Sequence, residues 1–237
     1  MAAGLRLEKT HKHPTLLLAG ETLMLDLCGG VWLPEHRTLI VSDLHLEKGS
    51  SYAARTGQFL PPYDTRETLA CLHEAVTRHD PARVVALGDS FHDDRGPERM
   101  EPGDRAMVAA LQEGRDWVWI AGNHDAAVSE GVGGRYADAL TLGGLVLRHE
   151  PSAEPVIGEI AGHLHPCGKV AMRGRAVRRR CFVTNGTRLV MPAFGAYAGG
   201  LNVRDRAIEG LFPNGFTAHL LGDGRVFAIG RAQLARD

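Results

Sequence analysis

The chain has 237 residues, 44% of them hydrophobic and 23% charged, with a formal net charge of −1. That composition excludes a disordered chain and a coiled coil, and the length leaves room for a full hydrophobic core. With so little net charge, any affinity for nucleic acid must come from a local patch.

From the N-terminus, Lys9, Lys12 and His13 precede a short apolar stretch, Leu16 to Ala19. It is shorter than the ~7–15 residues of a signal-peptide core, and no run reaches the ~18 apolar residues of a membrane span. The chain therefore reads as cytoplasmic, with no membrane association. Strands are predicted over Thr15–Ala19, Leu23–Leu27, Thr38–Ser42, Arg83–Leu87, Trp117–Ala121, Leu145–His149 and Val156–Ala161. A helix is predicted from Thr65 to His79, with Asp64 as N-cap, Glu67 completing a capping box, and Asp80-Pro81 as the stop. A second helix covers about Asp104 to Glu113. Near-continuous apolar strands between helices point to a parallel sheet covered on both faces, and the strand-rich C-terminal half to a second, more antiparallel sheet. No linker divides the sequence, so residues 1–237 are expected to form one domain. The four cysteines form no Cys-x-x-Cys pair and are expected to be reduced and mostly buried.

Polar residues recur where the apolar strands stop. Asp43 and His45 follow Leu39-Ile40-Val41; Asp89 follows Val84 to Gly88; Asn123, His124 and Asp125 follow Trp119 to Gly122. His149 closes Leu145 to Arg148, and His163 and His165 follow Ile160-Ala161-Gly162. In open α/β sheets the ligand site lies beyond the carboxyl ends of the strands. One such Asp is usually a turn former or helix cap, but five segments in succession imply a shared site. Oxygen and imidazole donors without thiolate suit manganese, iron(II) or zinc. Seven candidate ligands exceed one tetrahedral site and fit two ions ~3.5–4 Å apart that clamp a phosphoryl group. The leaving oxygen then needs a proton donor, and His124, between Asn123 and Asp125, is placed for it.

These blocks, Asp43-Leu44-His45, Gly88-Asp89, Gly122-Asn123-His124-Asp125, His149 and Gly162-His163-Leu164-His165, resemble in content and order those of the calcineurin-like metallophosphoesterases. The resemblance implies a four-layer α/β/β/α sandwich of the α/β class with a binuclear metal centre. It places Asp43, His45 and His165 on one metal, Asp89 as the bridge, Asn123, His149 and His163 on the second, and His124 as the acid. The runs Asp43 to Ser51, Leu60 to Asp64, Gly88 to Asp93 and Pro192 to Asn202 are further similar to the bacterial ligase-associated DNA damage response phosphoesterases. That similarity implies a manganese-dependent phosphodiesterase or nuclease, endo- or exonucleolytic, working on DNA in repair beside a ligase and a helicase.

Other residues bear on the substrate. Arg173, Arg175, Arg178, Arg179 and Arg180 form a basic cluster; Arg178 and Arg179 are candidate contacts to a DNA backbone, against a solvated hairpin as the plain alternative. His92 is a candidate phosphate contact, and Lys48 and Arg55 lie close behind the first block. Phe194 or Tyr197, in the glycine-rich run near 195–202, offers a ring for base stacking. The alternatives are a phosphomonoesterase or nucleotide pyrophosphatase, and a catalytically silent metal-binding scaffold. The run Gly88 to Gly96 is two residues longer than the protein-phosphatase motif Gly-Asp-x-Val-Asp-Arg-Gly, so that motif's phosphate-clamping Arg is unmatched.

Overall fold

The computed structural model describes residues 13–57, 63–124, 131–172 and 174–237. In chain order the elements are β1 (Thr15–Leu18), β2 (Glu21–Leu25), β3 (Val31–Leu33), β4 (Thr38–Val41), α1 (Lys48–Thr56), α2 (Asp64–His79), β5 (Arg83–Leu87), α3 (Gly96–Arg99), α4 (Pro102–Gln112) and β6 (Asp116–Ile120). There follow β7 (Arg135–Ala137), β8 (Ala139–Leu142), β9 (Leu145–Arg148), β10 (Glu159–Ala161), β11 (Cys167–Met172), β12 (Arg175–Thr184), β13 (Arg188–Val190), α5 (Arg206–Glu209), β14 (Thr217–Leu221) and β15 (Val226–Gly230).

The first sheet runs β1-β2-β3-β4-β5-β6-β7, antiparallel up to β4 and parallel from β4 to β7. Helices α2 and α4 lie in the crossovers between its parallel strands. The second sheet runs β15-β14-β12-β13-β10-β9-β8, with β11 paired to the outer half of β12. Only β13-β10-β9 is parallel there.

Side-chain alternation explains the continuous apolar runs. Ile40, Val85, Leu87, Val118 and Ile120 face inward and meet Leu145, Leu147, Ile160, Phe182 and Leu189 of the second sheet. Their neighbours Leu39, Val41, Val84, Ala86, Trp117 and Trp119 face outward, against Leu69, Leu72 and Val76 of α2 and Val108 and Leu111 of α4. A third cluster, with Val183, Ile208, Phe212 and Ala218, covers the outer face of the second sheet. The layers are therefore α/β/β/α, the fourth one thin, since α5 has four residues. Each fully buried Leu, Ile or Val contributes roughly 1.5–3 kcal/mol.

Two sequence expectations need correction. The N-cap of α2 is Tyr63, and no capping box forms. Asp64 instead accepts a 2.9 Å hydrogen bond from Gly49 N, which ties α1 to α2. The strand predicted over Val156–Ala161 begins only at Glu159, because Gly158 turns the chain at φ 84°. At its other end α2 does stop at Asp80, in left-handed conformation, with Pro81 next. All four cysteines are free thiols; Cys167 and Cys181 are buried, Cys28 and Cys71 half-buried. No helix among the described residues is long and apolar enough to cross a membrane.

Candidate metal centre

Strands β4, β5 and β6 run in register, Val41 beside Ala86 and Leu87 beside Ile120, so the residues that follow them emerge at one edge. In the second sheet Arg148 pairs with Ala161, which brings His149 and the His163 segment to the facing edge. Beyond β4 and β5 the pairing continues: His45 N bonds Asp89 O at 2.9 Å and His92 N bonds Leu46 O at 3.0 Å. Two glycines let the edges meet. A Cβ on Gly162 would fall inside the Ser42 hydroxyl and the Asp43 carboxylate, and one on Gly88, at φ 71°, would strike the His149 ring.

Two triads result. Donor atoms of Asp43, His45 and His165 lie within 4.8 Å of one another, and so do those of Asp89, His149 and His163. His45 Nε2 and His165 Nε2 face each other at 3.2 Å, and His163 Nδ1 lies 3.2 Å from His149 Nε2. Asp43 Oδ1 is 3.2 Å from His165 Nε2 and 3.8 Å from His149 Nδ1, so the triads adjoin. Each one draws on both sheets.

The surroundings orient these donors. His149 Nδ1–H donates to Leu87 O at 2.8 Å, and His165 Nδ1–H to Gly199 O at 3.2 Å. A carbonyl can only accept, so both rings present an unprotonated Nε2 inward when neutral. The Ser42 hydroxyl donates to Asp43, and His163 N donates to the same carboxylate at 3.0 Å. Asp43, His45, Asp89, His163 and His165 all have positive φ, five of the nine such non-glycine residues described. Backbone strain of this kind persists where surrounding structure enforces it, and it concentrates at functional sites.

The charges call for cations. Asp43 and Asp89 are buried, and their partners within ion-pair distance among the described residues are histidines, not Lys or Arg. Burial alone would raise the Asp43 carboxyl, but the hydrogen bond from His165 and the charges of His165 and His149 pull it below its ordinary value. Burial pushes His45 down to about 4, the value of a neutral donor. Buried carboxylates surrounded by imidazole nitrogens fit divalent metal ions.

Asn123 lines a cleft of about 510 Å³ together with Arg148 and His149, beside the second triad. His124 N donates to Asp89 Oδ1 at 2.9 Å, and its imidazole, 49% exposed, stands with Nε2 3.9 Å from Asp89 Oδ2. Asp125 lies outside the described residues. His92 stacks on His124 with centroids 5.3 Å apart and meets His45 edge-on at 5.6 Å. Arg178 and Arg179 are adjacent on β12 and so face opposite sides. Arg178 Nη2 donates to Gly200 O at 2.6 Å, while Arg179 Nη1 reaches only the Arg178 carbonyl, at 3.3 Å. Arg180 is a clamp, bonding Ala193 O at 2.7 Å and Phe194 O at 3.1 Å. Phe194 is 2% exposed and packs in the core, so it offers no ring to a base; Tyr197 is exposed. The orienting groups Leu87 O and Gly199 O were beyond sequence reasoning, because every residue carries a carbonyl.

The calcineurin-like phosphoesterase family matches residues 36–173, which span all five ligand blocks. The chain belongs to that family. It is a metal-dependent phosphoesterase. The crystal structure of Pseudomonas putida nuclease MPE is similar at a TM-score of 0.71 and 27% identity, covering 92% of this phosphoesterase and 100% of that chain. No curated protein matches this phosphoesterase.

Proposed function

We propose that this phosphoesterase is a manganese-dependent nuclease that hydrolyses phosphodiester bonds of DNA. The observation that carries the reading is the pair of adjoining triads with a half-exposed His124 held over them by Asp89. The likeness to a nuclease over nearly the whole chain supports it.

Asp43, His45 and His165 would hold one ion; Asn123, His149 and His163 would hold the other, with Asp89 shared. Two such ions acidify a bound water and neutralise phosphate charge. The protein's own part is orientation and proton transfer. The Leu87 and Gly199 carbonyls fix the His149 and His165 rings. His124 Nε2 gives its proton to the leaving oxygen, with Asp125 beside it in sequence as a second catalytic group. His92 lies against a non-bridging phosphate oxygen, and Arg178 and Arg179 offer charge to the strand beyond. The ligase-associated resemblance favours repair of damaged DNA in the cytoplasm, beside a ligase and a helicase.

The test is cleavage of end-labelled single- and double-stranded DNA by the manganese-loaded protein, with Asp89→Asn as the control. Cleavage lost in the control is expected, and the product ladder separates endo- from exonucleolytic action. Turnover of small phosphomonoesters or nucleotides with DNA left intact would overturn the nuclease reading.

A further inference from the structure

Helix α1 carries Lys48, Tyr52 and Arg55 at positions i, i+4 and i+7, which share one helical face. Gly49 and Ser51 are the buried residues of this helix. Both cations are tethered to the metal centre. Lys48 Nζ donates to Tyr197 O at 3.0 Å, and the same loop supplies Gly199 O to His165. Arg55 Nη2 lies 3.1 Å from His92 Nε2. A guanidinium can only donate, so that nitrogen of His92 accepts, and His92 in turn packs edge-on against the ligand His45. Among the described residues, neither Lys48 nor Arg55 has a carboxylate within ion-pair distance.

The acids around α1 are committed elsewhere. Asp93 is held by both Arg99 bonds, at 2.8 and 2.9 Å; Asp64 caps Gly49 N; Glu47 accepts from Ser50 and Thr65. Two tyrosines, Tyr52 at 36% and Tyr197 at 38% exposure, flank the cations. Basic side chains without carboxylate partners, interleaved with accessible aromatic rings and continuous with a phosphoesterase centre, have the composition of a nucleic-acid track.

We infer that the outer face of α1, with Tyr197, is the surface that receives the nucleic-acid strand. Lys48 and Arg55 meet successive phosphates, and Tyr52 and Tyr197 stack unpaired bases. This rests on the reading of the substrate as nucleic acid.

The experiment is fluorescence anisotropy of a short labelled oligothymidylate with phosphorothioate linkages, bound to manganese-loaded protein across a salt series. Lys48→Met and Arg55→Gln should each flatten the slope of log K against log salt by about 0.7. Tyr52→Ala should weaken binding by roughly five- to hundredfold. Tyr52→Phe, which keeps the ring, should bind like the parent, and so should Arg225→Ala, a charge-matched control in the β14–β15 turn. If the parent binds and the α1 variants keep its affinity and slope, the track is refuted while the nuclease reading stands. If the parent hydrolyses bis(p-nitrophenyl) phosphate but binds no oligonucleotide, the nucleic-acid reading fails and the track with it.

Discussion

Replacing His124 by Ala separates proton donation from every other role at the centre. The substitution is clean because Asp89 is gripped by the His124 main-chain N–H, which alanine keeps. The lost imidazole is half exposed and stands 3.9 Å from Asp89 Oδ2, beyond hydrogen-bond reach, so metal affinity and folding should barely change. A general acid contributes about 10²- to 10⁴-fold to rate, or ~3–5 kcal/mol, where the leaving group is a poor one. DNA releases a sugar alkoxide and needs that proton; bis(p-nitrophenyl) phosphate releases a stable phenolate and does not. kcat on DNA should therefore fall about 10²-fold or more, and kcat on the aryl diester far less. Steady-state kinetics on both substrates, with bound manganese counted, checks this. Equal losses on both substrates would refute His124 as the acid and assign it to phosphate binding or metal support.

Manganese at about 100 times its dissociation constant should stabilise each occupied site by ~2.7 kcal/mol, raising Tm by roughly 5–10 °C. Scanning calorimetry should show that shift reversed by EDTA and reduced in Asp43→Asn; an equal shift in that variant would remove Asp43 from the ligands. Buried Arg188 sits 2.8 Å from fully buried Glu159, so Arg188→Met should cost about 3–5 kcal/mol in urea unfolding, while pairing it with Glu159→Gln should recover most of that. A single variant as stable as the parent would show that the 3.7 Å contact from Arg148 suffices. Burial pushes His219 down to about 4, so its ring stays neutral in the fold while the unfolded chain takes up a proton below about pH 6.5. Its contribution to stability is full above that pH and declines by up to about 3 kcal/mol as pH falls to 4. Unfolding curves of His219→Gln should lack this segment, and identical pH profiles would contradict it.

The central strands were legible because each is buried on both faces, which leaves unbroken apolar runs at 39–41, 84–87 and 117–120. The candidate ligands Asp43, His45, Asp89 and Asn123 were legible because they stand just beyond those runs. Strands β7 and β8 gave no comparable signal, being short and largely exposed. Helix α1 was missed because a glycine and two serines make Lys48–Thr56 a poor helix former. Tertiary contacts hold it instead, Gly49 N to Asp64 and, at its N-cap, Glu47 N to Thr65 Oγ1. Asp64 and Phe194 were misjudged for a related reason: local sequence suggests a cap and an accessible ring, and neighbours distant in the chain claim both side chains.

Because each triad takes donors from both sheets, a cation held there is a cross-link between residues far apart in sequence, as Asp43 and His165 are. The two sheets pack through an apolar interior and a few direct bonds such as His149 Nδ1–H to Leu87 O. A change in that packing alters the donor spacing, because each triad straddles the seam. Metal affinity in this protein is thus a gauge of how the sheets are seated. Core substitutions well away from the centre, at Ile40 or Leu147 for instance, should register there before they register in global unfolding.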